Sequence, residues 1–267
     1  MKFDLLLTDH PSWRPSGGGF RRVLSVDSGT AWLVEVREGR PTWTLLDGVA
    51  PPPSPDVFAT SRSSGRRASP IAAPLAQLGR VGRLRNPSLW DALATAIVRQ
   101  VIRAAQARLL YRNFCDAYGP RIALSDHTDI RSFPSPADVI ALSDGDFTQC
   151  GMAFKRRPLR HAAEAFLDRG ETWSQLSPSV LVKELQTIPG VGPWSAGAAV
   201  ADWSNDWSLY PYGDLAVRTW ARHAAPDHPW PADEAAFARM WRQVTGDHLA
   251  SLTLLTLAWA GRHGGSV

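Results

Sequence analysis

The stretch Leu185-Gln186-Thr187-Ile188-Pro189-Gly190-Val191-Gly192-Pro193-Trp194-Ser195-Ala196 decides the fold. A helix must stop before Pro189, because proline lacks the N–H that a helix needs and crowds the preceding turn. Two glycines permit a tight turn with positive φ, and Pro193 suits the first turn of a new helix. The stretch therefore predicts two helices joined by a hairpin. Small residues let the turn's backbone come close to an anion, and the free N–H groups at the start of the second helix point toward it. Such a hairpin can grip a phosphate backbone without reading base sequence. A plain tight turn between helices accounts for the same residues.

Twenty residues beyond Trp194 lies Asp214, within Tyr210-Pro211-Tyr212-Gly213-Asp214-Leu215-Ala216-Val217-Arg218. An acid between a Pro/Gly-broken loop and a new helix is suited to capping that helix. The same carboxylate is also available for chemistry.

Working outward, Leu89, Leu93, Ile97 and Val101 recur at helical spacing, and Leu109, Leu110 and Phe114 continue the apolar face. One helix results, or two with a break near Arg103, ending at Tyr118-Gly119-Pro120. Further helices are expected after Ser135-Pro136, from about Lys155 through Phe166, and from Ser177-Pro178 through Leu185. The last are expected over Ala235 to Gln243 and His248 to Ala260. In the first fifty residues the runs Arg22 to Val26, Ala31 to Val36 and Thr42 to Leu46 are β-rich. Ser28-Gly29 and Gly39-Arg40 separate them, predicting a small antiparallel sheet. Residues 50 to 70 are rich in Pro, Ser and Arg; Arg62, Arg66 and Arg67 there either touch phosphate or keep the segment solvated.

A chain of 267 residues, 44% hydrophobic, can bury one large core or two smaller ones. It has no run of about 18 apolar residues that would span a membrane, and Met1-Lys2-Phe3-Asp4 lacks the pattern of a signal peptide. A soluble cytoplasmic protein is expected. Cys115 and Cys150 are too few for a disulfide framework or a four-cysteine cluster. A net charge of +4 suits an anionic partner. Lysine occurs only at 2, 155 and 183, which restricts amine chemistry.

The hairpin and its spaced aspartate together resemble the helix-hairpin-helix (HhH-GPD) DNA glycosylase superfamily, most closely its 3-methyladenine or alkylbase branch. That family has a Leu/Ile-Pro-Gly-Val/Ile-Gly hairpin followed at about this distance by an essential aspartate. Leu89-Trp90-Asp91-Ala92-Leu93 through Gln100 resembles the helix and glutamine-bearing turn before the family's DNA-inserting loop. Phe133-Pro134-Ser135-Pro136 and Gly151-Met152-Ala153-Phe154-Lys155-Arg156 match its next landmarks, so the resemblance covers roughly residues 75 to 262. It implies an α+β protein. Residues 1–50 would form a small antiparallel β domain, 51–74 a linker or crossing segment, and 75–267 the mainly helical glycosylase domain.

The resemblance also implies roles. Asp214 would be the catalytic carboxylate, stabilising the positive charge that develops on deoxyribose and orienting or deprotonating water. Bifunctional relatives carry an amine nucleophile, a lysine, in the second hairpin helix. Trp194 stands there, which implies a monofunctional enzyme that leaves an abasic site. Trp194 and Ala198, with Trp259, would line the base pocket, where an aromatic face favours a cationic alkylated purine. Trp194 is otherwise a core residue, and Trp203, Trp207, Trp220 and Trp241 are read mainly as packing. Ala198 replaces a second aromatic of the alkyladenine branch and leaves room for a bulkier base.

Gln100, Val101, Ile102 and Arg103 would enter the duplex, with Val101 or Ile102 as the wedge unless both belong to the core. Gly190, Val191, Gly192 and Ser195 would meet the DNA backbone. Lys155 and Arg156 would contact phosphate or simply end a solvated helix. The implied partner is double-stranded DNA containing a modified base, bound by a monomer in the nucleoid. No iron–sulfur cluster or metal is implied, beyond a monovalent cation at the hairpin carbonyls. Two other classes compete: a non-catalytic DNA-binding hairpin module, and a metal hydrolase, for which the seven histidines show no ligand spacing. The same fold acting on a bulky or hypermodified base, in defence or self-resistance, is a third reading.

Overall fold

The computed structural model describes residues 2–25, 29–60 and 69–263, so Val26, Ser28, Arg62, Arg66 and Arg67 lie outside the described residues. Strand β1 (Leu5–Leu6) leads into a meander of β2 (Arg14–Ser16), β3 (Gly19–Ser25), β4 (Ala31–Arg37) and β5 (Arg40–Asp47). These four pair antiparallel in chain order, the small sheet expected from their β-rich runs. Glu38 and Gly39, both at positive φ (49° and 70°), make the two-residue turn between β4 and β5. Such turns match the twist of the paired strands.

The next segment carries β6 (Asp56–Phe58), then α1 (Ala72–Ala76) and β7 (Val81–Arg83). Strand β7 is central in a second sheet, parallel to β1 and antiparallel to β6. Arg83, buried on β7, reaches Asp9 (3.1 Å), Asp202 and Asn205 (2.5 Å). It thereby ties the N-terminal strands to the helical part. Removing one partner from such a buried group costs about 3–5 kcal/mol, because the others are left unpaired.

Helix α2 (Leu89–Arg99) is capped by Ser88, whose hydroxyl accepts the Asp91 N–H at 3.2 Å. The chain breaks at 100–103, as the sequence reading allows, and α3 (Ala104–Tyr118) follows. A hairpin of β8 (Arg121–Ala123) and β9 (Asp129–Arg131) was not anticipated from periodicity. Ser135 and Ser143 then form capping boxes that start α4 (Pro136–Ala141) and α5 (Asp144–Gln149). Helix α6 (Arg156–Trp173) runs past Phe166, its expected end. The remaining helices are α7 (Pro178–Leu185), α8 (Pro193–Ser204), α9 (Leu215–Ala224), α10 (Glu234–Thr245) and α11 (Leu249–His263).

Two apolar cores divide the helices. One joins α2, α3, α6, α7 and α8 around Leu93, Ile97, Phe114 and Leu185. The other joins α1, α9, α10 and α11 around Leu75, Val217, Phe237 and Trp241. Ala198 on α8 packs against both, so α8 marks the seam between them. The architecture is α+β, with the small sheets toward the N-terminus.

Candidate active site

The hairpin forms as its glycines and prolines require. Gly190 has φ +88°, and a Cβ there would come within 2.9 Å of Pro158 on α6. Ile188 and Val191 turn inward and are buried, which anchors the turn on the first core. Gly192 is the N-cap of α8 and faces open space, and the first intrahelical bond runs from Ala196 N–H to Gly192 O at 3.0 Å. The earlier N–H groups of α8 are thus left for an anion.

Gln100 ties the turn at 100–103 to this hairpin. Its side-chain amide donates to Gly190 O (2.9 Å) and to Ser195 Oγ (2.6 Å). Ser195 is therefore buried, and its hydroxyl faces inward to Gln100, away from the DNA backbone that the resemblance implies it would meet. Lys155 is likewise only 3% exposed, and its ammonium donates to Gln100 O at 2.6 Å. Burial lowers its pKa to about 8. Lys155 braces the turn from behind instead of reaching phosphate in this conformation, and Arg156 is paired with Asp144 at 2.7 Å.

The braced turn presents Val101. Its side chain is fully exposed and its backbone lies at φ +59°, a conformation that costs a β-branched residue about 1–3 kcal/mol. Ile102 packs against the first core, whereas Arg103 is exposed at the start of α3. Of the two wedge candidates, Val101 is the one held out into solvent.

Asp214 is the N-cap of α9, yet its side chain accepts no capping hydrogen bond. The capping explanation of this residue therefore fails. Its Oδ2 instead accepts the hydroxyl of Tyr210 at 3.1 Å. Tyr210 is buried, and burial together with the charge of Asp214 raises its pKa, keeping it a proton donor. Its ring packs at 5.2 Å against Trp207, over which the Arg83 guanidinium sits at 4.7 Å. Trp207 is thus a packing residue that supports the site. The charge of Arg99, at the end of α2, also reaches Tyr210 and Asp9.

Gly197 brings the hairpin helix to this loop. A Cβ at Gly197 would lie 2.5 Å from Leu209 O and 3.3 Å from Pro211 Cδ. Glycine therefore lets α8, with half-buried Trp194 and Ala198 one turn apart, press against the segment that carries Tyr210 and Asp214. Trp259 lies on α11, stacked on His263 at 4.0 Å and edge-on to Trp220, with its indole N–H buried and unpartnered. Sequence reasoning missed Tyr210 and Gly197. The aromatic next to Pro211 and the glycine within an alanine-rich helix are visible in the sequence, but neither declares its partner.

Among the described residues no three His, Cys, Asp or Glu side chains group as a metal site, and no helix is long and apolar enough to cross a membrane.

No family model matches the chain. DNA-3-methyladenine glycosylase 2 of Escherichia coli (strain K12) is 34% identical over 130 residues, covering 45% of this chain and 45% of that protein. The chain thus spans less than half the length of that curated relative. The 3-methyladenine DNA-glycosylase from Archaeoglobus fulgidus superposes with a TM-score of 0.70 at 16% identity, over 96% of this chain and 91% of that one. The apo-form of the Clostridium acetobutylicum 8-oxoguanine glycosylase/lyase superposes with a TM-score of 0.63 at 15% identity, over 97% and 99% of the two chains. With its hairpin, its braced turn and its spaced aspartate, the chain has the fold of the helix-hairpin-helix DNA glycosylases.

Proposed function

We propose that this chain is a monofunctional DNA glycosylase that flips a modified base, an alkylated purine, out of duplex DNA and hydrolyses its N-glycosidic bond, leaving an abasic site. The observation that carries the reading is Asp214, an N-cap aspartate whose carboxylate caps nothing. Tyr210 holds Oδ2 and leaves Oδ1 for the sugar. In that position the carboxylate stabilises the cationic deoxyribose and orients the attacking water. The similarity in sequence to a 3-methyladenine glycosylase supports the substrate class.

Helix α8 contains no lysine, and Trp194 occupies its first turn. Lys155 is engaged with the Gln100 carbonyl, and Lys183 lies on α7. Hydrolysis without a Schiff base follows from this reading. The proposed enzyme acts as a monomer on nucleoid DNA in the cytoplasm. It needs no iron–sulfur cluster, and the hairpin carbonyls offer a place for a monovalent cation. Val101 fills the vacated stack, Arg103 and the start of α8 hold phosphates, and Trp194, Ala198 and Trp259 shape the pocket. The small side chain of Ala198 at the seam favours, as a second reading, a bulkier modified base.

The test incubates the full chain with methylated, deaminated, oxidised and bulky-modified duplexes, followed by alkali. Free base and alkali-labile sites are expected, without strand cleavage before alkali. Asp214→Asn should lower release by roughly 10³-fold while DNA affinity stays within a few-fold. Binding without release from every duplex would leave only the non-catalytic module.

A further inference from the structure

Strand β3 alternates, and the alternation that puts Leu24 into a core also turns Arg22 inward, where it is 3% exposed. A charge at a core-facing strand position conflicts with the local pattern, and such conflicts mark functional positions. Of Arg22's five N–H donors, only one on Nη2 has a partner among the described residues, Asp91 Oδ2 at 3.5 Å. The Nε group is buried with none. Burying a guanidinium on one long contact is costly unless something else completes its shell.

Arg22 lines a cavity of about 100 Å³ between β3, β9 and the start of α2, with Arg131, Ser25, Ser88 and Ser132 also on its wall. A water needs roughly 10–15 Å³ on this measure, so the space holds a group of several heavy atoms. Asp91, also on the wall, is already committed: Tyr111 donates to its Oδ1 at 2.6 Å and Asn86 to its Oδ2 at 2.9 Å. His10 lies 3.3 Å from the same carboxylate but adds no positive charge, because burial and Arg22 hold its pKa down to about 3. Asp91 is thus the one carboxylate paired with Arg22 among the described residues, and Arg131, on the same wall, donates from Nη1 to Gly119 O at 2.9 Å.

We propose that this cavity binds a small free oxyanion of phosphate size, with Arg22 and Arg131 as its cationic ligands and serine hydroxyls as neutral donors. Its acceptor oxygens satisfy the donors that Arg22 leaves open, with the doubled strength of charge-assisted hydrogen bonds. The site is separate from the DNA-gripping surface. Helix α2 runs from the cavity to Gln100, and its 11 residues place the two about 16 Å apart. The anion would pin the N-terminal sheet to the helical core.

The test titrates the full chain with inorganic phosphate and with sulfate, against chloride at matched ionic strength, reading melting temperature and calorimetric affinity. Either oxyanion should raise the melting temperature beyond chloride, and the rise should persist when the protein is saturated with abasic duplex. Arg22→Met should weaken phosphate binding about tenfold or more. Arg131→Gln, at a half-buried position, should weaken it with loss of only the Nη1 hydrogen bond to Gly119 O, which keeps the test decisive if Arg22→Met fails to fold. Equal responses to phosphate and chloride would show a water-filled cavity and overturn the proposal. So would affinity unchanged in Arg131→Gln and in any folded Arg22→Met, or a response lost when DNA binds.

Discussion

Asp214 and Asp233 begin successive helices, α9 and α10, with similar extended backbones (ψ 149° and 137°), yet their side chains do different things. Asp233 accepts the Ala236 N–H at 2.7 Å, the ordinary use of such a residue. Asp214 turns away from its helix and accepts the Tyr210 hydroxyl. A cap is worth about 1 kcal/mol, so leaving α9 uncapped is a cost with no local return. An aspartate at a helix start is therefore uninformative until its hydrogen bonds are known. Here they separate an acid that caps its helix from one left free for the proposed chemistry.

Substitution at the two positions should break the symmetry in opposite ways. The largest effect is expected from Asp214→Asn, which should lower base release by roughly 10³-fold, the scale of losing a preorganised electrostatic group. Its melting temperature should stay near that of the parent, since no cap is lost. Tyr210→Phe removes one hydrogen bond to a charged group, about 1.5–3 kcal/mol, and should slow release roughly 10- to 100-fold in single turnover. A Tyr210→Phe enzyme with full activity would show that Asp214 is held by other means.

Lys155, which stands at the start of α6, offers a third case. Its folded pKa is lowered from 10.5 to about 8 by burial. The unfolded chain therefore holds a proton in that window that the folded chain has released, and stability should rise as pH climbs from about 8 toward 10.5. Denaturant midpoints across this range should show the rise in the parent relative to Lys155→Met. The smallest effect is expected from Asp233→Ala: about 1 kcal/mol less stability, read from the same midpoints, with base release unchanged.

Much of the site was legible in the chain because its signals are local. Pro189, Gly190, Gly192 and Pro193 constrain their own φ and N–H groups, so they announce a hairpin without tertiary help. The break around Gln100 and the meander of β3 to β5 were legible for the same reason. Strands β6 and β7 were not, since each is three residues long and makes sense only in the sheet in which β7 lies between β1 and β6. Nothing local in the sequence singles out Arg83, because its partners lie far along the chain at Asp9, Asp202 and Asn205.

By itself the sequence determined that two helices meet at a glycine hairpin, that an acid follows twenty residues on, and that no lysine stands on the second helix. Only the tertiary structure decided that Asp214 pairs with Tyr210 instead of its helix, that Val101 and not Ile102 projects, and that Lys155 and Ser195 serve the Gln100 turn from inside. Backbone permission is written residue by residue. Side-chain partnership depends on which distant elements packing brings within about 3 Å of each other.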